Sequence, residues 1–251
     1  MRSHWTFRPA SARHAGMTIV LMLGSAPNAT QAQGWDRDLF DHILAINNAW
    51  RIREDWTHWI HPWDFPDAGR PAPKSGQKVI TQDDFVPAQN QFGGFVYAGG
   101  TMAFTAAYWA LAALKPSIIA VLGCDMTYAK IGATHFYGTG TADPLRKDIT
   151  LRNLEAKATR LEALAATQGT AIVNLSDQPS RLTFRRASLQ DLAQITPRLP
   201  DPEVVKAAQA RETDLNYHVP SGRYWEEADR FDIDEIDDLD ALWLNAYSAK
   251  T

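Results

Sequence analysis

Three clusters of residues could do chemistry together. Gly99-Gly100-Thr101 open a segment that reads as a helix. Gly123-Cys124-Asp125-Met126-Thr127-Tyr128 close a short apolar run, and Thr134-His135 follow. A glycine pair ahead of a helix lets backbone N–H groups approach an anion. An aspartate just past a buried parallel strand sits where open α/β sheets hold their ligands. His135 is the one histidine between that strand and the next long helical pattern, and an imidazole can take a proton near neutral pH. These residue types suit a nucleotide or nucleotide-sugar site.

Such residues need a scaffold, and the apolar periodicity supplies one. Ala106, Ala107, Ala110, Leu111 and Leu114 recur at helical spacing and stop at Pro116. Short apolar runs near 18–23, 43–46, 57–60, 118–122 and 171–173 read as strands, each ending in polar or small residues. The first ends in Gly24-Ser25-Ala26-Pro27-Asn28, the second in Asn47-Asn48, the third in His61-Pro62 and the last in Asn174-Leu175-Ser176. From Asp148 to Thr167 the pattern is helical, with Leu151, Leu154, Ala158, Leu161 and Leu164 inward, Lys157, Arg160 and Glu162 outward, and Gly169 as C-cap. Strands alternating with helices predict an α/β fold: a Rossmann-like, mostly parallel sheet flanked by helices, in a single domain with an acidic C-terminal helical extension.

Composition narrows the classes. The chain has 251 residues, 45% hydrophobic and 22% charged, within the globular range. A net charge of −4 argues against general affinity for nucleic acid. The single cysteine, Cys124, cannot form an internal disulfide, and no apolar run approaches the roughly 20 residues needed to span a bilayer. A cytoplasmic location is the expectation, with peripheral membrane contact as the only membrane role. Arg2, Arg8 and Arg13 before the run 17–23 imitate a secretory leader, but removing that run would delete the first strand and its turn. Asn28-Ala29-Thr30 is a glycosylation sequon that matters only for a secreted chain.

The chain divides into an extension at 1–16, expected to be disordered, a Rossmann-like nucleotide-sugar-binding domain at 17–200 and an acidic helical segment at 201–251. Residues 64–92, with Pro66, Pro71, Pro73 and Pro87, read as a long irregular connection with a short strand at Val79-Ile80. His58 and His61 stand three apart, but no third ligand lies at a standard spacing and a strand would send their rings to opposite faces, so no metal is expected. Trp50, Trp56, Trp59 and Trp63 are expected mostly in core or rim packing. Ile233, Ile236, Leu239, Trp243 and Tyr247 recur among acidic residues as an amphipathic helix, one face either buried in this chain or packed on another subunit.

From about Thr18 to Ser180 the chain resembles the bacterial sialyltransferases of glycosyltransferase family forty-two, and is similar to the related 6-hydroxymethylpterin diphosphokinase-like group. The sialyltransferases bind their donor at a Gly-Asn-Gly-Pro-Ser turn. Gly24-Ser25-Ala26-Pro27-Asn28 keeps its first Gly and its Pro. Asn47 matches the family's second-strand Asn, and His61-Pro62 corresponds to its Asn-Pro. The diphosphokinase side is carried by Gly99-Gly100-Thr101, by Gly123 to Tyr128 with Thr134-His135, and by Asn174-Leu175-Ser176.

The resemblance implies donor-binding roles for Gly24, Ser25, Asn28, Asn47, Asn48, His61, Gly99, Gly100, Thr101, Gly123, Asp125, Tyr128 and Tyr137. It implies no cofactor, since the nucleotide sugar is a substrate. The family's catalytic base is the second His of His-Tyr-x-Gly-His. Here the stretch is His135-Phe136-Tyr137-Gly138-Thr139, so a threonine stands in that place. A threonine is no general base near neutral pH. Either His135 takes over, the chemistry differs, or the chain binds without catalysing. Transfer of a sialic-acid-type sugar from a nucleotide-activated donor to a glycan comes first, and a non-catalytic nucleotide-sugar-binding protein second. A diphosphokinase acting on a pterin-like alcohol comes third, and it alone would need Mg, held by Asp125 with Asp143. An oligomer through the C-terminal helix is the expected protein partner.

Overall fold

Seven strands lie side by side, all parallel, in the order β4-β3-β2-β1-β5-β6-β7. They are β1 (Ile19–Leu23), β2 (His42–Ile46), β3 (His58–Ile60), β4 (Lys78–Ile80), β5 (Ile118–Leu122), β6 (Ala171–Asn174) and β7 (Arg185–Arg186). The computed structural model describes residues 16–128, 132–139 and 146–248. Residues 1–15 of the expected N-terminal extension, and Asp143, lie outside them. The five strands read from sequence are all present, as is the short one at Val79-Ile80. The fold is a single-domain α/β Rossmann-like one.

The strands are near-continuous apolar runs because both faces of a parallel sheet are covered. Alternate side chains divide between two cores. Val20, Met22, Leu44, Ile46, Ile119 and Val121 face the layer of long helices. Leu21, Leu23, Ile43, Ala45, Ala120 and Leu122 face the opposite layer, which includes Ala29 and Ala32 of the 3-10 helix Pro27–Gly34. β1 is central, pairing with β2 on one side and β5 on the other, so chain order reverses across it. That reversal makes the C-terminal end of β1 the topological switch point where such sheets hold ligands.

The helices are α1 (Gln82–Asn90), α2 (Phe95–Ala98), α3 (Met102–Leu114), α4 (Leu154–Thr167), α5 (Pro202–Leu215) and α6 (Ile233–Leu244). Thr101 caps α3, its hydroxyl accepting from the Phe104 N–H at 3.2 Å. Lys115 ends that helix in the left-handed region at φ 46°, one residue before Pro116. Residues 64–92 are therefore not irregular throughout, since α1 occupies their last third. Its signal is the Thr81-to-Asp84 pair, with the Thr81 N–H donating to the Asp84 carboxylate at 3.0 Å.

The outward charges expected on α4 are a correction. Lys157, Arg160 and Glu162 are each at most 3% exposed. α5 and α6 pack across the face that an amphipathic reading leaves to solvent. A buried charge persists only when paired. Lys157 meets Asp240 at 2.8 Å, Arg160 meets Glu212 at 2.6 Å and Glu162 meets Arg198 at 3.0 Å. Ile236, Leu239 and Trp243 of α6 enter the same core as α4, so the apolar face of the acidic helix is buried within this chain.

Burial pushes the Glu162 carboxyl up to about 7, with Arg198 opposing. The folded chain then holds a proton that the unfolded chain, near 4.5, has lost. Glu162 therefore favours folding below pH 4.5, and that advantage disappears as pH rises to about 7. Wild type is expected to lose stability relative to Glu162→Gln over this window, by up to roughly 3 kcal/mol. Urea unfolding of both proteins at pH 4.5 and 7.5 measures it; parallel profiles would contradict it.

Candidate functional site

Because every strand runs the same way, the residues after β1, β2, β3, β5 and β6 emerge along one edge. Gly24, Asn47, His61, Gly123 and Ser176 share that edge. α3 ends only a short turn before β5 begins, so its opposite end, with Gly100 and Thr101, returns to the same edge.

At the switch point the ends of β1 and β5 meet backbone to backbone. The Gly24 N–H donates to the Leu122 carbonyl at 2.8 Å, and the Ala26 N–H to the Gly123 carbonyl at 3.0 Å. A Cβ on Gly24 would stand 2.3 Å from the Gly123 carbonyl oxygen and 2.5 Å from the Cys124 sulfur. Gly123 holds φ +75°, and a Cβ there would stand 2.6 Å from the Ala29 Cβ. This contact accounts for both glycines without a ligand. Gly24→Ala is expected to cost about 1–3 kcal/mol from the forced backbone shift. A melting temperature within 1 °C of wild type, set against the roughly 2–4 °C expected per kcal/mol, would contradict it.

Asp125 is buried just beyond this contact. One carboxylate oxygen accepts from Asn174 Nδ2 at 3.0 Å. The other accepts from the Ser176 hydroxyl at 2.7 Å and from Asn28 Nδ2 at 3.3 Å. Asn28 also donates to the Ser176 oxygen at 2.7 Å. The network ties the turn after β1 to the ends of β5 and β6. Cys124 is buried beside it, and burial raises its thiol pKa, with the Asp125 charge adding to the effect.

Phe136 N–H donates to the Ser25 carbonyl at 3.0 Å, which clips the segment 134–138 onto the end of β1. The segment is a tight turn, with His135 and Gly138 exchanging backbone bonds at 2.9 and 3.0 Å. The His135 ring is 7% exposed, stacked on Tyr137 at 5.0 Å and 6.1 Å from Tyr128. Its Nδ1 lies 2.8 Å from the Thr134 hydroxyl. Burial lowers its pKa, so the imidazole is neutral at pH 7. Thr139 is exposed on the outer side of the turn, 3.3 Å from the Gly132 carbonyl.

On the β2–β3 side of β1 the same edge opens into a cleft of about 1560 Å³. Asn47 and Gly100 line it; Gly24, Ser25, Asn28, Asn48, His61, Gly99, Thr101, Gly123, Asp125, Tyr128, His135 and Tyr137 are not in its wall. Asn47 holds φ 51°, and its carbonyl accepts from Trp59 Nε1 at 2.7 Å. Its side-chain oxygen is shielded from solvent with no hydrogen-bond partner among the described residues. The residue lines the cleft, while this oxygen lies beneath its surface. Asn48 follows in the 3-10 turn Asn47–Arg51. His61 is packed away between Trp59 at 4.1 Å and Phe65 at 5.6 Å, while His58 packs at a tilt against Trp109 at 5.2 Å on the other face. Gly99, at φ +89°, accepts at its carbonyl from Gln89 Nε2 at 3.2 Å.

Three cleft residues were not anticipated from sequence. Asp148 accepts from the Thr150 N–H at 2.8 Å, the Thr150 hydroxyl at 2.6 Å, the Tyr224 hydroxyl at 2.8 Å and Arg146 Nε at 3.1 Å. Burial alone would raise its pKa, but these donors win and hold it below the usual carboxylate value. A Cβ on Gly100 would stand 2.6 Å from the Thr150 hydroxyl and 3.1 Å from the Tyr224 hydroxyl. Arg146, Asp148 and Tyr224 thus form a polar wall directly beside Gly100. Asp148 was legible only as a helix-start residue, and Tyr224 lies too far along the chain to be linked to Gly100 by spacing.

No family model, curated protein or solved structure matches this chain. The geometry therefore carries the functional reading. Among the described residues, no three His, Cys, Asp or Glu side chains converge as metal ligands, and no helix is long and apolar enough to cross a membrane.

Proposed function

We propose that this protein is a glycosyltransferase that moves a sialic-acid-type sugar from a nucleotide-activated donor to a glycan. The supporting observation is the cleft at the switch-point edge. Its volume of about 1560 Å³ exceeds the roughly 300–1,000 Å³ of single-ligand pockets, leaving room for a donor and an acceptor together. Asn47, which matches the sialyltransferases' second-strand Asn, and Gly100, of the glycine pair shared with the diphosphokinase-like group, both line it, with Arg146 beside Gly100.

In this reading the acceptor hydroxyl attacks the anomeric carbon as the bond to the nucleotide phosphate breaks. The candidate base is the neutral His135, its ring oriented by Thr134; it stands on the same sheet edge outside the cleft wall, so the acceptor hydroxyl has to reach beyond the cleft to meet it. The backbone at Gly100, with Arg146 beside it, would offset the charge on the departing phosphate, since the Gly24 and Ala26 N–H groups are committed to the Leu122 and Gly123 carbonyls. His135 follows β1 through its clip to Ser25, and β1 pairs with the strand that ends at Asn47.

One feature favours a second reading, binding without turnover: an exposed Thr139 stands at the family's base position. The diphosphokinase reading fits less well. It needs Asp125 as a magnesium ligand, yet both Asp125 oxygens are occupied by amide and hydroxyl donors.

A thermal-shift screen with CMP, CDP, UDP, GDP and ATP, with and without magnesium, tests the reading. At 100 times its dissociation constant a ligand adds about 2.7 kcal/mol, or roughly 5–10 °C here. Stabilisation by a cytidine nucleotide without magnesium is expected. Stabilisation by ATP only with magnesium would overturn the reading in favour of the diphosphokinase.

A further inference from the structure

A second cavity, of about 440 Å³, opens where α4 and α5 meet the turn after α1, and it shares no lining residue with the cleft. Its size lies within the roughly 300–1,000 Å³ of single-ligand sites. Its floor is a closed network. Arg160 of α4 donates to both carboxylate oxygens of Glu212 on α5 and to the Phe92 carbonyl at 2.6 Å. Tyr97 of α2 donates to the Glu212 carbonyl at 2.7 Å and accepts from the Tyr217 N–H at 2.7 Å. Gly93 leaves room above this network. It holds φ +88°, and a Cβ there would stand 3.2 Å from Arg160 Nη2 and from the Tyr97 ring. A floor whose polar groups satisfy one another is rigid, so recognition falls to the rim.

The lining says what would fill it. Arg160 and Glu212 supply its formal charges, one of each sign, and they are paired with each other at 2.6 Å. A phosphate or carboxylate therefore finds no unpaired arginine or lysine in the wall. Around the floor stand four exposed side-chain amides, those of Gln91, Gln168, Gln209 and Asn216, none hydrogen-bonded to another described residue. A carboxamide presents a donor and an acceptor in one plane, which matches the in-plane donor and acceptor edge of a nucleobase. Phe92, Tyr97 and Leu164 make the apolar part of the wall, against which a flat ring can lie. A saccharide carries its hydroxyls on tetrahedral carbons and has no such planar edge.

We propose that this cavity is a second ligand site, separate from the cleft, for an uncharged nucleobase or nucleoside. Gln168, at the end of α4, and Gln209, on α5, come from its two helical walls and read the base edge. The site does not depend on the transferase reading, which concerns the other opening.

The test is calorimetric titration of the full chain with adenosine, guanosine, cytidine, uridine and glucose, alongside the CMP thermal shift on the same preparations. At least one nucleoside is expected to bind, and glucose is not. Gln168→Ala and Gln209→Ala are each expected to weaken that nucleoside at least tenfold. Gln209→Trp, which fills the mouth from an exposed position, is expected to abolish its binding while leaving the melting temperature of the free protein and the CMP shift unchanged. No nucleoside binding in wild type would overturn the site. So would undiminished binding by a folded Gln209→Trp protein, which would put the nucleoside elsewhere. Glucose binding that Gln209→Trp removes would overturn the ligand class. Loss of the CMP shift together with the nucleoside would mean one site rather than two. Nucleoside binding that follows Gln168 and Gln209, without a CMP shift in wild type, would keep this site and overturn the donor reading of the cleft.

Discussion

Glu212→Ala is expected to destabilise the fold by about 3–5 kcal/mol, the usual consequence of leaving a buried charge without its partner. Arg160 is 1% exposed. It donates to Glu212 through Nε at 2.6 Å and Nη2 at 2.7 Å, to the Tyr108 hydroxyl at 2.7 Å and to the Phe92 carbonyl at 2.6 Å. Glu212 also accepts from Trp243 Nε1 at 2.8 Å, so its removal strands two donors from two helices. The melting temperature should fall by roughly 10 °C. The exposed pair Arg152–Asp237 is the control: its side chains are 37% and 44% accessible, and Asp237→Ala should change stability by less than about 1 kcal/mol. Urea unfolding of both variants measures the contrast. Equal, small losses would mean that α5 and α6 are held to α4 by their apolar contacts alone.

The second large effect concerns turnover. His135→Ala is expected to slow sugar transfer by about 10² to 10⁴ fold, the usual contribution of a positioned general base. Thr139→Ala should stay close to wild type, since Thr139 is exposed and its hydroxyl donates to the Gly132 carbonyl at 3.3 Å. Burial lowers the His135 pKa below its ordinary 6.5, so activity that requires the neutral ring should persist to lower pH than an unperturbed histidine allows. Steady-state rates of both variants with the nucleotide sugar that binds best, measured from pH 4.5 to 8, provide the check. Near-wild-type rates in both would dismiss His135 as the base.

The sheet was legible because parallel strands covered on both faces are written as apolar runs, and 118–122 or 19–23 admit little else. The turns after them were legible for the same reason: small and polar residues follow each run. The cleft was much less so. Gly100 meets Thr150 and Tyr224, and Trp63 shares an opening with Trp225, only once the C-terminal segment folds back onto the sheet edge. No spacing rule links residues that far apart. The charges of α4 misled for a physical reason. Helical amphipathicity marks Lys157, Arg160 and Glu162 as solvated, and nothing within α4 records that Asp240, Glu212 and Arg198 lie over them. Asp125 illustrates a third case. Its position past β5 suggested a ligand contact, whereas its hydrogen bonds make it a tie between three strand ends.

The most direct measurement is a transfer assay with CMP-sialic acid as donor and lactose as acceptor, without added metal. Sialylated lactose and free CMP should appear in equal amounts, at a rate that falls at least a hundredfold in His135→Ala. Failure to release nucleotide from CMP-sialic acid or any other nucleotide sugar, by a wild-type chain that CMP stabilises, would contradict catalysis and leave a nucleotide-sugar-binding protein.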